Sequence, residues 1–209
     1  DDCLAFVIFS RAIKMKNNLR IIAKRKRKLI SLDTEDKNTF LKNINSCLDR
    51  VFSIENTIRE VGLYYPISNE ISPLVFIEYF KDNNITTALP VVGSNSNSMV
   101  FKKWLIKEKL QKSHLGTYEP FRTNKTIFPQ IIVVPMLMFD RKLNRLGYGA
   151  GYYDKSISTL KRYFDKKQKN FITIGLAYSE QETKSIPYES HDQKLDFIVT
   201  EKEILSKVN

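Results

Sequence analysis

Apolar positions along the chain change their spacing repeatedly, and each change marks a predicted helix or strand. Helical spacing, with apolar residues three or four positions apart, occurs in four segments. They are Asn17 to Ile30, about Thr34 to about Arg50, a helix opening at Ser72-Pro73, and Tyr153 to Phe164. Asp33 or Thr34 can cap the second of these helices, because a short polar side chain accepts hydrogen bonds from the free N–H groups of a first turn. Ser72 can cap the third, where proline is tolerated in the first turn.

Short apolar runs between these helices predict strands. They are Ile58 to Tyr65, Ile85 to Leu89, Met99 to Leu105, Ile131 to Val134, Phe171 to Leu176 and Phe197 to Thr200. Ile131 to Val134 is apolar and β-branched throughout, which is typical of a central strand buried on both faces of a parallel sheet. Met99 to Leu105 follows a polar turn over Gly93 to Ser98 and could extend the sheet antiparallel. The alternation predicts a single-domain, three-layer α/β/α fold with a mainly parallel, Rossmann-like sheet.

Composition narrows the classes of function. The 209 residues carry a formal net charge of +11, with a dense basic run at Lys24-Arg25-Lys26-Arg27-Lys28. No aromatic interleaving, helix-turn-helix or zinc-finger pattern accompanies that run, so a solvated helix face is favoured and nucleic acid is not an expected partner. No apolar run approaches the roughly 20 residues of a membrane span, so no membrane partner is expected. Cys3 and Cys47 have no metal-ligand spacing, and a reducing cytoplasm is the simplest setting.

The chain begins with Asp1, and Met15 immediately precedes the first predicted helix. We expect residues 1–14 to be an N-terminal extension upstream of the functional start, and residues 15–209 to form the domain. No interface stripe is evident, so a monomer is the expected state.

Chemistry is concentrated around one glycine-bearing loop. Only seven glycines occur in the chain, and Gly147, Gly149 and Gly151 fall within five residues. The loop follows a predicted buried strand and precedes a predicted helix, so it lies at the sheet edge where α/β proteins bind ligands. Its backbone N–H groups and the helix N-terminus can hold phosphate oxygens. The spacing is neither that of a Walker A loop nor that of a dinucleotide-binding loop, and a structural tight turn remains the alternative.

Residues flanking the loop favour the phosphate interpretation. Arg145 offers a planar, permanently charged fork for phosphate. Asp154, just beyond the loop, could hold a magnesium ion that bridges nucleotide phosphates. Tyr148, Tyr152 and Tyr153 could provide flat walls for an aromatic ligand.

The run from Pro135 to Asp154 resembles the signature of the 5-formyltetrahydrofolate cyclo-ligases, also called 5,10-methenyltetrahydrofolate synthetases. Its Arg-Leu-Gly-x-Gly-x-Gly-Tyr-Tyr-Asp part is long and specific, and the likeness extends from about Lys16 to Thr200. Lys16 to Arg20 is similar to the family's Lys-x-x-Leu-Arg segment. Leu63 to Glu70 resembles its folate-contacting strand and loop.

Further segments carry the resemblance with small departures. Gly116 to Pro120 is similar to a Gly-Ile-x-Glu-Pro turn, with Thr117 as a departure, and His191-Asp192 with Leu195-Asp196 resembles the closing motif. Ala150 stands where a glycine is common, and Val91-Val92 stand where some members have an arginine. Taken alone, Glu70 and Asp192 would be assigned to solvated loops.

The resemblance implies ATP-dependent cyclisation of 5-formyltetrahydrofolate to 5,10-methenyltetrahydrofolate, with release of ADP and phosphate and with Mg²⁺ present. The substrate could be polyglutamylated. The implied catalytic residues are Arg145 and Tyr152, and the implied metal ligands are Asp154 and Asp192. Implied ATP-binding residues are Lys16, Asn17, Asn18, Leu19, Arg20, Arg145, Leu146, Gly147, Tyr148, Gly149, Ala150, Gly151, Tyr152 and Tyr153. Implied folate-binding residues are Tyr65, Glu70, Tyr148, Gly149, Ala150, Gly151 and Tyr152. The alternatives are another ATP-dependent small-molecule ligase or kinase, and a basic nucleic-acid-binding module.

Overall fold

The structure, a computed structural model, describes residues 2–93 and 99–207. Most of the predicted turn over Gly93 to Ser98 therefore lies outside the described residues. Four α-helices are present in these ranges: α1 (Asp2–Arg27), α2 (Thr34–Ile54), α3 (Ile77–Asp82) and α4 (Tyr152–Asp165). Two 3₁₀ helices accompany them, at Pro73–Phe76 and Ser179–Gln181. Within the described ranges, none of the helices combines the length and the apolar character that crossing a bilayer requires.

Eight strands form the main sheet, and two pairs of two-residue strands form small hairpins. The main-sheet strands are β1 (Glu60–Gly62), β2 (Thr86–Val92), β3 (Met99–Lys103), β6 (Thr126–Ile127), β7 (Ile131–Val134), β10 (Ile172–Leu176), β11 (Phe197–Val199) and β12 (Ile204–Ser206). The hairpin strands are β4 (Gln111–Lys112) with β5 (Tyr118–Glu119), and β8 (Met138–Phe139) with β9 (Arg145–Leu146).

The strand order in the main sheet is β12-β11-β10-β7-β1-β2-β3-β6. The five inner strands from β11 to β2 are parallel, whereas β12, β3 and β6 pair antiparallel with their neighbours. The α/β fold with a mostly parallel sheet is confirmed, and so is the antiparallel extension by β3. The strand at Ile131–Val134 is central as predicted, because β10 and β1 pair with it on either side.

The pleat of β7 divides the interior into two apolar layers. Ile131 and Val133 pack into the layer covered by α2 and α3, whereas Ile132 and Val134 pack into the layer covered by α4. All four side chains are buried. Successive residues of a strand point to opposite faces, so a continuous apolar run needs cover on both sides, and the helices supply it.

Two of the predicted helix starts are confirmed by their caps. The Asp33 carboxylate accepts a hydrogen bond from Asp36 N at 2.8 Å at the start of α2. The Ser72 hydroxyl accepts from Leu74 N at 3.3 Å, and the turn that it caps is the 3₁₀ helix preceding α3. An oxygen acceptor at this position satisfies an N–H group that has no partner within the helix.

The first helix is longer than predicted and ends earlier. It begins at Asp2 and not at Asn17, because no glycine or proline interrupts residues 2 to 16, and it ends at Arg27 and not at Ile30. Residues 2–14 are therefore continuous with the helix that follows them. Whether residues 1–14 are an extension of the functional chain stays a prediction.

Candidate active site

A cleft of about 620 Å³ opens at the carboxyl ends of β1, β2 and β7. Segments from distant parts of the chain line it. They are α1, the loop after β1, the end of β2, the hairpin β4–β5, the glycine loop before α4, and the turn from Glu189 to Asp192. Ligands of open α/β sheets bind at this edge, so the cleft is the candidate active site.

The hairpin β8–β9 places Arg145 in this cleft, and a buried aspartate organises its turn. Asp140 Oδ1 accepts hydrogen bonds from Lys142 N at 3.0 Å and Asn144 N at 3.1 Å. Its Oδ2 accepts from Ile186 N at 3.0 Å, which ties the turn to a distant segment. A carboxylate that accepts several backbone hydrogen bonds makes the turn rigid. The strand that begins with Arg145 is therefore held in a fixed position.

Arg145 itself is buried without full hydrogen bonding. Its side chain is 4% exposed, and its Nη2 forms an ion pair with Asp154 Oδ2 at 3.0 Å. Among the described residues, none accepts a hydrogen bond from Nε or Nη2, because the approach of Asp154 lacks hydrogen-bond geometry. The guanidinium also lies 5.7 Å from the centre of the Tyr153 ring. A buried guanidinium with unused donors in a cleft indicates an anionic ligand.

Two glycines of the loop make room for arginine side chains. A Cβ at Gly147 would lie 2.9 Å from Nη1 of Arg145, closer than real contacts allow. A Cβ at Gly149 would lie 3.2 Å from Cζ of Arg20, and its φ of +109° is also unfavourable for other residues. Arg20 donates from Nε to Gly147 O at 3.0 Å. The glycines therefore bring both guanidinium groups against the loop backbone.

The N-terminus of α4 adds backbone donors to the loop. Gly151 occupies the position before the helix with φ of 70°, and no side chain caps the first turn. The N–H groups of a first helical turn have no partner within the helix, and the helix dipole favours an anion there. Asp154 in this first turn accepts a hydrogen bond from Gln193 N at 3.0 Å.

Lys16 on α1 is the third cation of the cleft. Its Nζ lies 2.6 Å from both Glu189 Oε1 and Asp192 Oδ2, and its side chain is 7% exposed. Asp192 Oδ2 also accepts from Glu189 N at 2.8 Å. The turn from Glu189 to Asp192 is thus drawn to α1 by the charge of one lysine.

The two predicted metal ligands are each paired with a cation. Asp154 pairs with Arg145, and Asp192 pairs with Lys16. Within residues 2–93 and 99–207, no group of three or more His, Cys, Asp and Glu side chains could hold a metal ion. Mg²⁺ in nucleotide sites is held by one or two carboxylates together with substrate phosphates. Asp154 and Asp192 both line the cleft, so the one or two carboxylates of such a site are available there.

A second network joins the buried side chains of Arg27 and Glu70 to Tyr148, which is 36% exposed. Tyr148 donates its hydroxyl proton to Glu70 Oε1, and Arg27 Nη2 donates to the Tyr148 hydroxyl at 2.6 Å. Glu70 Oε2 accepts from Ile67 N at 2.9 Å. Burial raises the pKa of Glu70, and the hydrogen bonds from Tyr148 and Ile67 and the charge of Arg27 oppose the rise. The prediction that the basic run is a solvated helix face is wrong for Arg27, which is buried.

Almost all predicted site residues line the cleft, with two exceptions. The lining residues that the sequence predicted are Lys16, Asn17, Arg20, Tyr65, Glu70, all of Arg145 to Asp154, and Asp192. Asn18 lies outside it and is exposed, and Leu19 packs against the apolar cluster of Ala23, Leu137, Met138, Leu146 and Ile186. On a helix, a residue two positions beyond Lys16 points away from the face that Lys16 and Arg20 share, which explains Asn18. Leu19 lies at the side of that face, where the apolar cluster covers it.

Three residues of the site were missed from the sequence. Arg27 and Glu189 form ion pairs with Glu70 and Lys16, which line the cleft, and Asp140 supports the hairpin turn. A signal for Arg27 exists, because Lys16, Arg20 and Arg27 share one helix face at spacings of four and seven residues.

Comparison with known proteins gives a consistent family. The model of the 5-formyltetrahydrofolate cyclo-ligase family matches residues 12–201. A mouse protein named 5-formyltetrahydrofolate cyclo-ligase is 41% identical over 153 residues, which is 68% of this chain and 73% of the mouse protein.

Two solved structures share the fold. The 5,10-methenyltetrahydrofolate synthetase of Mycoplasma pneumoniae superposes with a TM-score of 0.64 at 27% identity, covering 88% of this chain and 97% of that one. The 5,10-methenyltetrahydrofolate synthetase of Aquifex aeolicus superposes with a TM-score of 0.67 at 26% identity, covering 93% and 94%.

Proposed function

The chain belongs to the 5-formyltetrahydrofolate cyclo-ligase family, and from this premise we propose that its cleft binds ATP beside 5-formyltetrahydrofolate. The enzyme converts the folate to 5,10-methenyltetrahydrofolate. ADP and phosphate are the other products. The observation that carries the ATP part is Arg145, a buried guanidinium in the cleft whose Nε and Nη2 are without acceptors among the described residues.

The ATP phosphates bind where three cations meet the glycine loop. Lys16, Arg20 and Arg145 supply positive charge, and the backbone N–H groups from Gly147 to Tyr153 supply further donors. In the structure, Lys16 forms an ion pair with Asp192, and Arg145 forms one with Asp154. When ATP binds, its phosphate oxygens replace the two carboxylates as the partners of Lys16 and Arg145. The carboxylates of Asp192 and Asp154 are then free to bind another cation.

Asp154 and Asp192 would then hold Mg²⁺ together with the phosphates. The ion supplies neutralisation of the charge on the transferred phosphoryl group. Titration calorimetry tests this exchange without any turnover. ATP and Mg²⁺ should each bind at least about tenfold more tightly in the presence of the other, because each frees the partners of the other. Part of the coupling arises because Mg²⁺ binds the ATP phosphates directly, and Asp154→Asn with Asp192→Asn should reduce the coupling to that part. Coupling of wild-type size in the double variant would contradict the assignment.

The folate lies against the opposite wall of the cleft. Glu70 accepts hydrogen bonds from N–H groups of the fused ring, as a carboxylate with free lone pairs does. Tyr65 and Tyr152 flank the ligand, and Tyr148 with Gly149, Ala150 and Gly151 completes the wall. Tyr65 is held in place by the Tyr118 ring, whose centre lies 5.4 Å away.

Chemistry proceeds in two steps from these positions. The formyl oxygen attacks the terminal phosphorus of ATP, ADP leaves, and the formyl group becomes a phosphorylated iminium. N10 attacks the formyl carbon and loses its proton, and the N5 lone pair expels phosphate. The residues bind, orient and balance charge, with Arg145 on the transferred group and Tyr152 beside the reacting centre. No strong nucleophile is needed.

The absorbance of the methenyl product tests the proposal directly. Purified chain, Mg²⁺, ATP and 5-formyltetrahydrofolate should give the chromophore, and omission of ATP or Mg²⁺ should prevent it. ATP hydrolysis without the chromophore would favour another ligase or kinase. Failure of both, with salt-sensitive binding to nucleic acid, would favour the basic binding module.

The oligomeric state and the cellular compartment are separate proposals. We propose a monomer that works in the cytoplasm without nucleic acid or a membrane. Light scattering coupled to size-exclusion chromatography tests the monomer, and a dimer mass would contradict it.

A further inference from the structure

Arg27 is the one buried member of a basic run. Lys24, Arg25, Lys26 and Lys28 are exposed, whereas the Arg27 side chain is 5% exposed. Its Nη1 lies 3.6 Å from Glu70 Oε1 and donates to Met136 O at 3.3 Å. Its Nη2 donates to the Tyr148 hydroxyl. Burying a guanidinium is costly unless its donors are used, so these contacts account for its position.

The loop that carries Glu70 is attached to the end of α1 at two places. Asn69 Nδ2 donates to the carbonyl of Arg27, the last residue of α1, at 2.7 Å and to Ile30 O at 3.0 Å in the segment that follows the helix. Glu70 itself meets the Arg27 side chain. Because backbone and side chain of one residue hold the loop, a change at Arg27 is transmitted to Glu70.

The chemistry of arginine sets the direction of the hydrogen bonds. A guanidinium only donates, so the Tyr148 hydroxyl accepts from Arg27 and must send its own proton to Glu70. Glu70 Oε1 is therefore always an acceptor in this network, and Ile67 N holds Oε2. A carboxylate has about four acceptor positions, so two remain for N–H groups of a ligand.

We propose that Arg27 is a positioning residue for the folate, which orients the Tyr148 proton onto Glu70 and balances the charge of that carboxylate. The inference rests on the proposed function, in which Glu70 and Tyr148 contact the folate. Arg27 acts through these two residues and contacts neither reacting atom. The other groups that sense the charge of Glu70 are the Tyr64 and Tyr153 hydroxyls.

Two substitutions at Arg27 and one control test the proposal. Arg27→Met keeps the length and removes the donors and charge, Arg27→Lys keeps the charge but not the fork, and Lys26→Met alters an exposed neighbour on the same helix. Steady-state kinetics should show the KM for folate raised about tenfold in Arg27→Met, the size of one lost charge-assisted hydrogen bond. The KM for ATP should change less than about twofold, and Lys26→Met should leave both constants unchanged.

The pH profile distinguishes positioning from a structural role. Without the arginine charge, Glu70 ionises at a higher pH. The KM for folate falls as Glu70 ionises, so this fall should occur at a higher pH in Arg27→Met than in the wild type. Arg27→Lys should keep the wild-type profile and raise the folate KM by a smaller factor. Adding Arg27→Met to Tyr148→Phe with Glu70→Gln should change the folate KM less than about twofold, because the residues through which it acts are absent.

Equal rises in both KM values, an unchanged folate KM, or an unshifted profile in Arg27→Met would overturn the inference. If Arg27→Met does not fold, the folate and ATP constants of Arg27→Lys decide alone, and a normal folate KM there overturns it. Measurements on the wild-type enzyme distinguish failure of this inference from failure of the proposed function. An active wild type with normal Arg27 variants refutes only the role of Arg27, whereas an inactive folded wild type refutes the proposed function.

Discussion

Replacing Arg145 with methionine should separate stability from activity. Methionine has similar length and no donors. It removes a side chain that is 4% exposed and whose Nε and Nη2 are unsatisfied by the described residues. An unsatisfied buried donor costs about 1–3 kcal/mol. The ion pair with Asp154 offsets part of this cost, and Asp154 keeps its hydrogen bond from Gln193 N after the change. Removing one partner of a buried ion pair leaves the other charge uncompensated, which is costly where that charge is buried. The Asp154 side chain is 17% exposed and water can solvate it, so the free energy of unfolding should fall by less than about 2 kcal/mol.

Activity should fall much further than stability. Two charge-assisted hydrogen bonds to phosphate are worth about 1.5–3 kcal/mol each, or about 3–6 kcal/mol together. Since about 1.4 kcal/mol is a factor of ten, kcat/KM should fall by about 10² to 10⁴.

Two measurements on the same preparation check this expectation. Initial rates of methenyl formation give kcat/KM, and urea unfolding gives the free energy. Lys142→Met, an exposed change in the turn before Arg145, is the matched control and should leave both near wild type. A normal rate in Arg145→Met would refute a phosphate role. Destabilisation by more than about 2 kcal/mol would refute the view that the free enzyme leaves this arginine unsatisfied.

Three more predictions follow from individual contacts. Gly147→Ala should lower kcat/KM at least about tenfold with the fold retained, because its Cβ would lie 2.9 Å from Arg145 Nη1 and displace the guanidinium. Glu70→Gln should gain stability relative to wild type as pH rises above 4.5, as measured by urea unfolding between pH 4 and 8. Burial raises the pKa of Glu70 above 4.5, so its protonated form stabilises the folded state at low pH and this contribution is lost as pH rises through the raised pKa. Burial raises the pKa of the Cys47 thiol from 9.0 to about 12, so native alkylation of Cys47 at pH 8 should be on the order of 10³-fold slower than in urea, as followed by peptide mass mapping.

Each of these expectations has a contrary result. Unchanged kinetics in Gly147→Ala would show that the loop and Arg145 move apart freely. A pH-independent stability difference in Glu70→Gln would show that Glu70 titrates alike in the folded and unfolded chain. Rapid native labelling of Cys47 would show that its layer of the core opens.

The elements could be predicted where the signal lies within a few residues. The four apolar residues from Ile131 to Val134 demand cover on both faces, and Asp33 caps the helix that follows it. The two-residue strands β4, β5, β8 and β9 could not be predicted, because periodicity needs more than two positions. Their pairing depends on how the intervening turn is held, as Asp140 holds the turn before Arg145.

The sequence by itself determined six of the eight strands of the main sheet, the central strand among them, and a glycine loop between a buried strand and a helix. It could do so because spacing and caps act between neighbours in the chain. Only the tertiary structure decided the electrostatic partners. Lys16 forms an ion pair with Asp192, which is near the other end of the chain, and the buried side chain of Arg27 forms one with Glu70. The residues of a basic run cannot be told apart from the local sequence. A charged side chain is buried only where packing brings a compensating group within reach, so the tertiary structure selects Arg27.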